Sequence, residues 1–234
     1  MAGSRPLTHG FIRASNVLRH NSHLKRIPLV LLACSLMLSA CSDNERATDS
    51  KTSTANSPAE KPVAETLLLE VPPAWLEVTS QGSDTFKLAE FVPAGQDKES
   101  WSDKLFVESN ALQPLPDPIV FLEAMGSELK TECEGSSDAN VHSGKENGYE
   151  ISVRLLICNK NLNSARGEVS LIKAIRGNNN FYVISRSRRS EPLQTDSSPL
   201  SDKEMGEWSL YMRSIKLCDA TSETHPCGAP NAGA

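Results

Sequence analysis

Residues 149–186, YEISVRLLICNKNLNSARGEVSLIKAIRGNNNFYVISR, carry the clearest secondary-structure pattern of the chain. The first ten residues of this stretch place an apolar side chain at every second position without a break, which is typical of a half-buried β-strand. Two further β-prone runs follow at 167–176 and 181–186. The Gly177–Asn180 link between them is rich in residues that tolerate the positive φ angles of a hairpin loop. The stretch therefore predicts three strands, the last two of which form a hairpin.

A helix is predicted on each side of these strands. Asp117 followed by Pro118 is typical of an N-cap and a first helical position. Ser201 and Glu204 have the spacing of a capping box. Apolar residues at spacings of three and four predict the buried stripes: Ile119, Leu122, Met125, Leu129 and Cys133 in the first helix, and Met205, Trp208, Met212 and Ile215 in the second. Arg213 and Lys216 would lie near the second helix's C-terminal end, where its dipole favours cations.

Shorter strands are predicted before the first helix, at 66–70, 75–79, 85–92 and 104–108. The 134–148 segment reads as a polar loop. The resulting order of several strands, a helix, three strands and a helix predicts an α+β domain, with a largely antiparallel sheet covered by two amphipathic helices. About 155 residues are available, enough for one core.

The N-terminus has the layout of a secretory signal peptide. Five basic and no acidic residues precede an apolar run of 14 residues from Ile27 to Ala40. A membrane-spanning helix needs roughly 20 such residues. The run ends in Leu38-Ser39-Ala40-Cys41, which resembles the lipobox of bacterial lipoproteins. The resemblance implies cleavage before Cys41 and lipidation of Cys41 with acyl chains such as palmitate. Ser42, in place of an aspartate, favours the outer membrane by the same resemblance.

The predicted organisation has four parts. Residues 1–40 form the signal peptide and residues 41–65 a disordered tether, because that segment is polar and lacks aromatic residues. Residues 66–220 form the globular domain, and residues 221–234 a disulfide turn with a flexible tail. Removal of 1–40 leaves 19 Lys and Arg against 29 Asp and Glu, a net charge of −10. This balance argues against nucleic acid as a partner, since nucleic-acid binding requires clustered positive charge.

The order of elements, with its Pro72-Pro73-Ala74-Trp75 opening, resembles the PsbP-like fold, to which the bacterial envelope lipoprotein DcrB belongs. The 91–101 segment, FVPAGQDKESW, and the terminal Cys218-Asp…His-Pro-Cys227 resemble uncharacterised proteobacterial envelope proteins. That second resemblance implies a place in the cell envelope and no particular activity.

Four cysteines remain in the mature domain after Cys34 leaves with the signal peptide and Cys41 takes lipid. An even number in an oxidising compartment implies disulfides, and four cysteines allow three connectivities. Proximity along the chain and in the predicted elements favours Cys133–Cys158 and Cys218–Cys227. A zinc site is disfavoured because no C-x-x-C pair exists and only His142 and His225 survive in the mature chain.

No catalytic motif is recognised, and no cofactor or metal is expected. The chain has no G-x-S-x-G and no glycine-rich phosphate loop. A catalytic site made of two carboxylates is still compatible with the sequence, since such pairs converge in space rather than in sequence.

His142 is interpreted as a solvated loop residue and His225 as part of the disulfide turn. Arg186, Arg188 and Arg189 form a basic cluster that would either bind an anion or, as the favoured interpretation, protect a strand end from edge pairing.

The three tryptophans, Trp75, Trp101 and Trp208, are expected in the core rather than on a carbohydrate platform.

The leading hypothesis is a non-enzymatic envelope accessory lipoprotein that faces the periplasm and binds an envelope protein. The alternative is a small-ligand carrier or sensor with a cavity between sheet and helices.

Overall fold

The computed structural model describes residues 65–194 and 197–227. The predicted signal peptide, Cys41, the tether as far as residue 64 and the tail from residue 228 lie outside the described residues. Within those two described ranges, no helix is long and apolar enough to cross a membrane.

The domain is α+β, with a seven-stranded antiparallel sheet and two helices, as the sequence predicts. The strand order in the sheet is β2-β3-β4-β8-β7-β6-β5, and β1 pairs separately with β9 as a two-stranded ribbon. The elements, in chain order, are β1 Glu65–Leu68, β2 Trp75–Gly82, β3 Phe86–Pro93, β4 Asp103–Asn110, α1 Pro118–Glu132, β5 Ser136–Glu146, β6 Tyr149–Cys158, β7 Gly167–Arg176, β8 Phe181–Ser190, α2 Asp202–Ser214 and β9 Lys216–Asp219.

The large sheet buries both of its faces, so the domain has two hydrophobic cores rather than the single one expected. Successive side chains of a strand point to opposite faces. On β6, Tyr149, Ile151 and Val153 contribute to one core, while Leu156 and Cys158 contribute to the other. We call the two sides the α1 face and the α2 face, after the helix that packs on each.

Helix α1 begins as predicted, with Asp117 accepting hydrogen bonds from the backbone N–H groups of Ile119 and Val120. The predicted stripe is wrong at Ile119, which is 40% exposed. At 100° per residue, Ile119 lies roughly a quarter turn from the centre of the buried stripe. Its place is taken by Phe121, which packs edge-on against Phe181 of β8.

Helix α2 has the predicted capping box, in which Ser201 and Glu204 exchange hydrogen bonds. It ends at Ser214, so Ile215 is the C-cap and Lys216 already belongs to β9. The end of α2 is held by Lys173 of β7, which is fully buried. Its Nζ donates to the carbonyl oxygens of Met212 and Ile215, at 3.0 and 2.8 Å, and to Glu146 at 2.5 Å.

The predicted polar loop at 134–148 is wrong, because most of it forms the edge strand β5. Both edge strands of the large sheet, β2 and β5, carry a register irregularity, between Glu77 and Thr79 and between Asn140 and His142. Bulges at sheet edges hinder pairing with other chains.

Candidate functional site

An open groove lies on the α2 face, between β1 and the β2–β3 hairpin. Its volume is about 960 Å³. The residues that line it are Glu65, Thr66, Leu67, Leu69, Ser80–Ala89, Phe91, Val107, Ser109, Asn180 and Tyr182. The apolar members come from β1, β3, β4 and β8, and the polar ones mainly from the hairpin tip. We refer to this feature as the β1 groove.

The β1 groove exists because the α2 face is covered unevenly. Helix α2 and the β1–β9 ribbon pack over the β6–β7–β8 side, where Trp208, Met212 and Leu217 are buried. Phe91 on β3 and Val107 on β4 are only partly buried against that core. An apolar surface of this kind is suited to a further polypeptide or ligand.

Strand β1 has a backbone edge that pairs with no other described strand. Within residues 65–194 and 197–227 it pairs only with β9, in the register Thr66↔Cys218. The far edge of β9 is occupied, because Asn147 donates to the carbonyl of Leu217 and Asp219 N–H donates to the carbonyl of His225. The β1 edge that remains borders the groove. Unpaired strand edges present alternating N–H and C=O groups to an incoming chain.

Strand β1 is fixed in position at its first residue. The Glu65 carboxylate accepts hydrogen bonds from the backbone N–H groups of Asn178 and Asn179 in the β7–β8 turn. A Cβ at Gly177 would lie 2.7 Å from a Glu65 carboxylate oxygen, so glycine permits this close approach. One end of the groove wall is thereby held against the large sheet.

The ribbon's other strand is held by the C-terminal disulfide turn. Cys218 is joined to Cys227, and His225 stacks on Tyr149 of β6 at 4.1 Å between ring centroids. His225 Nδ1 lies 2.8 Å from the carbonyl oxygen of Asn147, so this nitrogen carries the proton and donates. The second disulfide, Cys133–Cys158, joins the end of α1 to β6 on the opposite face. Both are the pairs expected from the sequence.

Two of the clustered arginines extend from β8 onto the α2 face. Arg188 pairs with Asp103 at 2.9 Å and with Glu204 at 2.5 Å, and these two carboxylates hold its charge. Arg186 instead lies among three aromatic rings, with its guanidinium carbon 5.0, 5.3 and 5.8 Å from the ring centroids of Trp208, Tyr211 and Trp75.

The third arginine, Arg189, lies on the α1 face. It pairs with Glu168 at 3.1 Å and stacks on Trp101 at 3.9 Å, while Lys104 lies 4.6 Å from the centroid of the same ring. Lys104 in turn pairs with Glu90 at 2.8 Å. Each cation of this group has a carboxylate partner.

The edge-protection interpretation of the arginine cluster is wrong. Strand β8 is paired on both sides, with β4 and β7, and has no free edge to protect. His142 also differs from its interpretation as a loop residue, since it lies on edge strand β5. Trp101 and Trp208 are buried, and Trp75 is partly buried against the α2-face core, as expected for core tryptophans.

The chemistry available in the described part of the chain is limited. The cysteines there are all in disulfides. No group of three or more His, Cys, Asp and Glu side chains in residues 65–194 and 197–227 is arranged to hold a metal ion. Burial raises the pKa of Tyr182, at the groove, and of Tyr211, beside Arg186, to about 12 in each case. Both phenols therefore act at neutral pH as polar, uncharged groups.

Comparison with known proteins gives structural similarity alone. No family model matches the sequence, and no curated protein does. The Saccharomyces cerevisiae Ran-binding protein Mog1p is 14% identical, with a TM-score of 0.40 over 69% of this chain and 98% of that one. A point mutant of Mog1 is 16% identical, with a TM-score of 0.37 over 62% and 78%. LpqN, involved in cell envelope biogenesis of Mycobacterium tuberculosis, is 14% identical, with a TM-score of 0.39 over 68% and 86%. At these identities and TM-scores none of the three assigns a function to this chain.

Proposed function

We propose that this protein is a lipid-anchored envelope lipoprotein whose domain binds an extended segment of another envelope protein in the β1 groove, without catalysis. The free edge of β1 carries this proposal. A segment added along that edge would gain main-chain hydrogen bonds, as in other cases of strand addition.

The groove defines the chemistry of the segment that would fit. Side chains of an added strand alternate between the groove floor and solvent. Every second residue would meet Phe91, Val107 and Leu67, so we expect apolar residues at those positions. Proline is expected to be absent where the backbone pairs with β1, because it lacks an N–H group.

Site-specific photo-crosslinking in living cells tests the proposal. A photoreactive amino acid at Thr66 or Gln81, both exposed at the groove, is expected to capture a discrete envelope protein. The same group at Lys130, exposed on α1, serves as the matched position on the other face. Identical crosslinked species from all three positions would contradict the groove as the binding surface.

A pair of matched substitutions sharpens the test. Ala89→Trp places a large side chain in the groove, whereas Ala139→Trp places the same side chain on the exposed strand β5 at the opposite edge of the sheet. We expect Ala89→Trp to abolish the crosslink from Thr66 and Ala139→Trp to leave it. Equal yields from both variants would count against an occupied groove.

A small-ligand carrier is the second candidate. The groove's volume, about 960 Å³, lies near the upper end of the range of ligand sites, roughly 300–1,000 Å³. Native mass spectrometry of protein extracted from its host would detect a retained small molecule. Retained mass that Ala89→Trp removes, together with no crosslinked protein, would favour the carrier.

The anchor is proposed on sequence grounds alone. Cys41 would carry the lipid, residues 41–65 would tether the 66–220 domain, and the protein would face the periplasm, at the outer membrane. Intact mass of membrane-extracted protein is expected to begin at Cys41 with added acyl chains. Reduction should add four hydrogens for the two disulfides. Cys41→Ala should abolish acylation, and an unlipidated wild-type mass would refute the anchor.

A further inference from the structure

Among the described residues, Arg186 is the strand arginine whose guanidinium has no carboxylate within 4 Å. Within the described residues, the other arginines on strands each lie within 4 Å of an Asp or Glu: Arg154, Arg176, Arg188 and Arg189. Arg186 has no such neighbour. It therefore forms no direct ion pair within the described residues, on a mature chain whose net charge is −10.

One hydrogen-bond donor of Arg186 is also without a partner among the described residues. Its Nε is buried and has no hydrogen-bond partner in the part of the chain that the structure describes. A buried donor without an acceptor costs about 1–3 kcal/mol. The surrounding rings of Trp75, Trp208 and Tyr211 attract the cation through their π faces, but they accept no in-plane hydrogen bond comparable to a carboxylate oxygen.

We infer that Arg186 and the rings of Trp75, Trp208 and Tyr211 form a binding site for a carboxylate attached to an apolar group. A carboxylate matches the two parallel N–H donors that one edge of a guanidinium presents. The aromatic rings would contact the apolar part of such a ligand. Arg188 is held by its own two carboxylates, so Arg186 is the arginine of this pair whose guanidinium has no carboxylate within 4 Å among the described residues.

The surrounding charges favour a monoanion over a phosphate group. Asp103 and Glu207 both act electrostatically on Arg186. These negative charges repel a phosphate monoester, which carries about −1.5 to −2 at neutral pH, more strongly than a carboxylate. The ligand is either a free carboxylic acid or the C-terminal carboxylate of a peptide, since both present the same chemistry.

Binding measurements on the mature lipoprotein in detergent test this site. Benzoate is expected to bind, with a change in tryptophan fluorescence, while the neutral isostere benzamide and inorganic phosphate bind at least tenfold more weakly. A short peptide ending in phenylalanine, with a free or an amidated C-terminus, distinguishes the two sources. Binding that requires the free terminus and exceeds that of benzoate assigns a peptide end, whereas tighter binding of benzoate assigns a free acid.

Three variants connect the binding to Arg186. Arg186→Gln should weaken benzoate binding at least tenfold, and Arg213→Gln, which removes another α2-side arginine, should not change it. Glu207→Gln should tighten binding about twofold by removing a repelling charge, an effect that misfolding could not mimic. Equal affinity in wild type and Arg186→Gln, tighter binding of phosphate than of benzoate, or no carboxylate binding up to roughly 10 mM would overturn the proposal.

Discussion

The two faces of the large sheet satisfy their charged groups to different extents. On the α1 face, Arg154 pairs with Asp138 beneath the helix, and Arg189 pairs with Glu168. On the α2 face, the β1 groove is open and Arg186 has no carboxylate partner within the described residues. An arginine costs free energy when it is partly buried without its hydrogen bonds. The difference indicates that the α2 face, which also holds the buried Lys173, is the face on which the two proposed binding surfaces lie.

The α1 face also shows how closely its helix packs on the sheet. A Cβ at Gly126 would lie 2.9 Å from a carboxylate oxygen of Asp138, so glycine lets α1 approach the Asp138–Arg154 pair. On the α2 face, the described parts of β1, β9 and α2 leave the β2–β3–β4 side open. Perturbations on the two faces can therefore be compared for their effects on binding.

The largest expected effect is on the α2 face, at Lys173. Lys173→Met removes the donor to two carbonyl groups at the end of α2 and leaves Glu146 without its partner. Loss of one partner of a buried ion pair typically costs about 3–5 kcal/mol, and we expect a fall of that size in the free energy of unfolding measured with urea.

The control for Lys173 is Lys203→Met, which removes a lysine that is 86% exposed and contacts Glu207 at 3.8 Å. Its effect is expected to stay within about 0.5 kcal/mol. Similar losses in the two variants would show that Lys173 does not hold the end of α2.

The two disulfides allow the faces to be compared directly. Cys133–Cys158 closes a separation of 25 residues on the α1 side, and Cys218–Cys227 closes one of 9 residues beside the ribbon. From the loop-entropy relation, replacing each cysteine pair by alanine should lower the free energy of unfolding by about 3.5 and about 2.5 kcal/mol, respectively. Urea unfolding of the two double variants shows which loss is larger.

The two disulfide variants should rank in the opposite order when crosslinking at the groove, rather than stability, is measured. Loss of Cys218–Cys227 loosens the turn that holds β9, and hence the groove wall, so crosslinking from Thr66 should fall more in that variant. If loss of Cys133–Cys158 reduced crosslinking more, the assignment of the proposed binding surface to the α2 face would be wrong.

The sequence predicts regular elements well where the pattern is local. The β6 and β7 strands occupy the predicted residues, 149–158 and 167–176, and both helix N-caps are correct. Strand β5 escaped prediction because Val141 is its only large aliphatic residue. It forms a strand through pairing with β6, and tertiary context of this kind overrides local propensity.

The two proposed binding surfaces depend on contacts between distant parts of the chain. Trp75 and Tyr211 both contact Arg186, although 136 positions separate them in the sequence. The β1 groove likewise requires the β1–β9 pairing, which joins the two ends of the domain. The sequence pattern identified the arginine cluster. Which of these arginines pairs with a carboxylate can be seen only in the folded sheet.

The smallest expected effect concerns Glu204, the partner of Arg188 at the N-terminus of α2. Hydrogen bonds from Arg188 and from Ser201 lower the pKa of Glu204 to about 2 in the folded protein. Because this pKa lies below the usual value of 4.5, the carboxylate stabilises the fold above pH 4.5. That contribution is lost progressively as the pH falls from 4.5 towards 2.

Glu204→Gln should therefore lower stability at pH 7 and flatten the dependence of stability on pH between 4.5 and about 2, as measured by urea unfolding at several pH values. Ser201→Ala removes the cap but keeps the Arg188 contact, so an intermediate slope is expected. If Glu204→Gln retained the full wild-type slope, Arg188 would not depend on Glu204 for its charge balance. Arg188 would then rely on Asp103 alone, and the contrast between an arginine held by two carboxylates and Arg186 would be weaker.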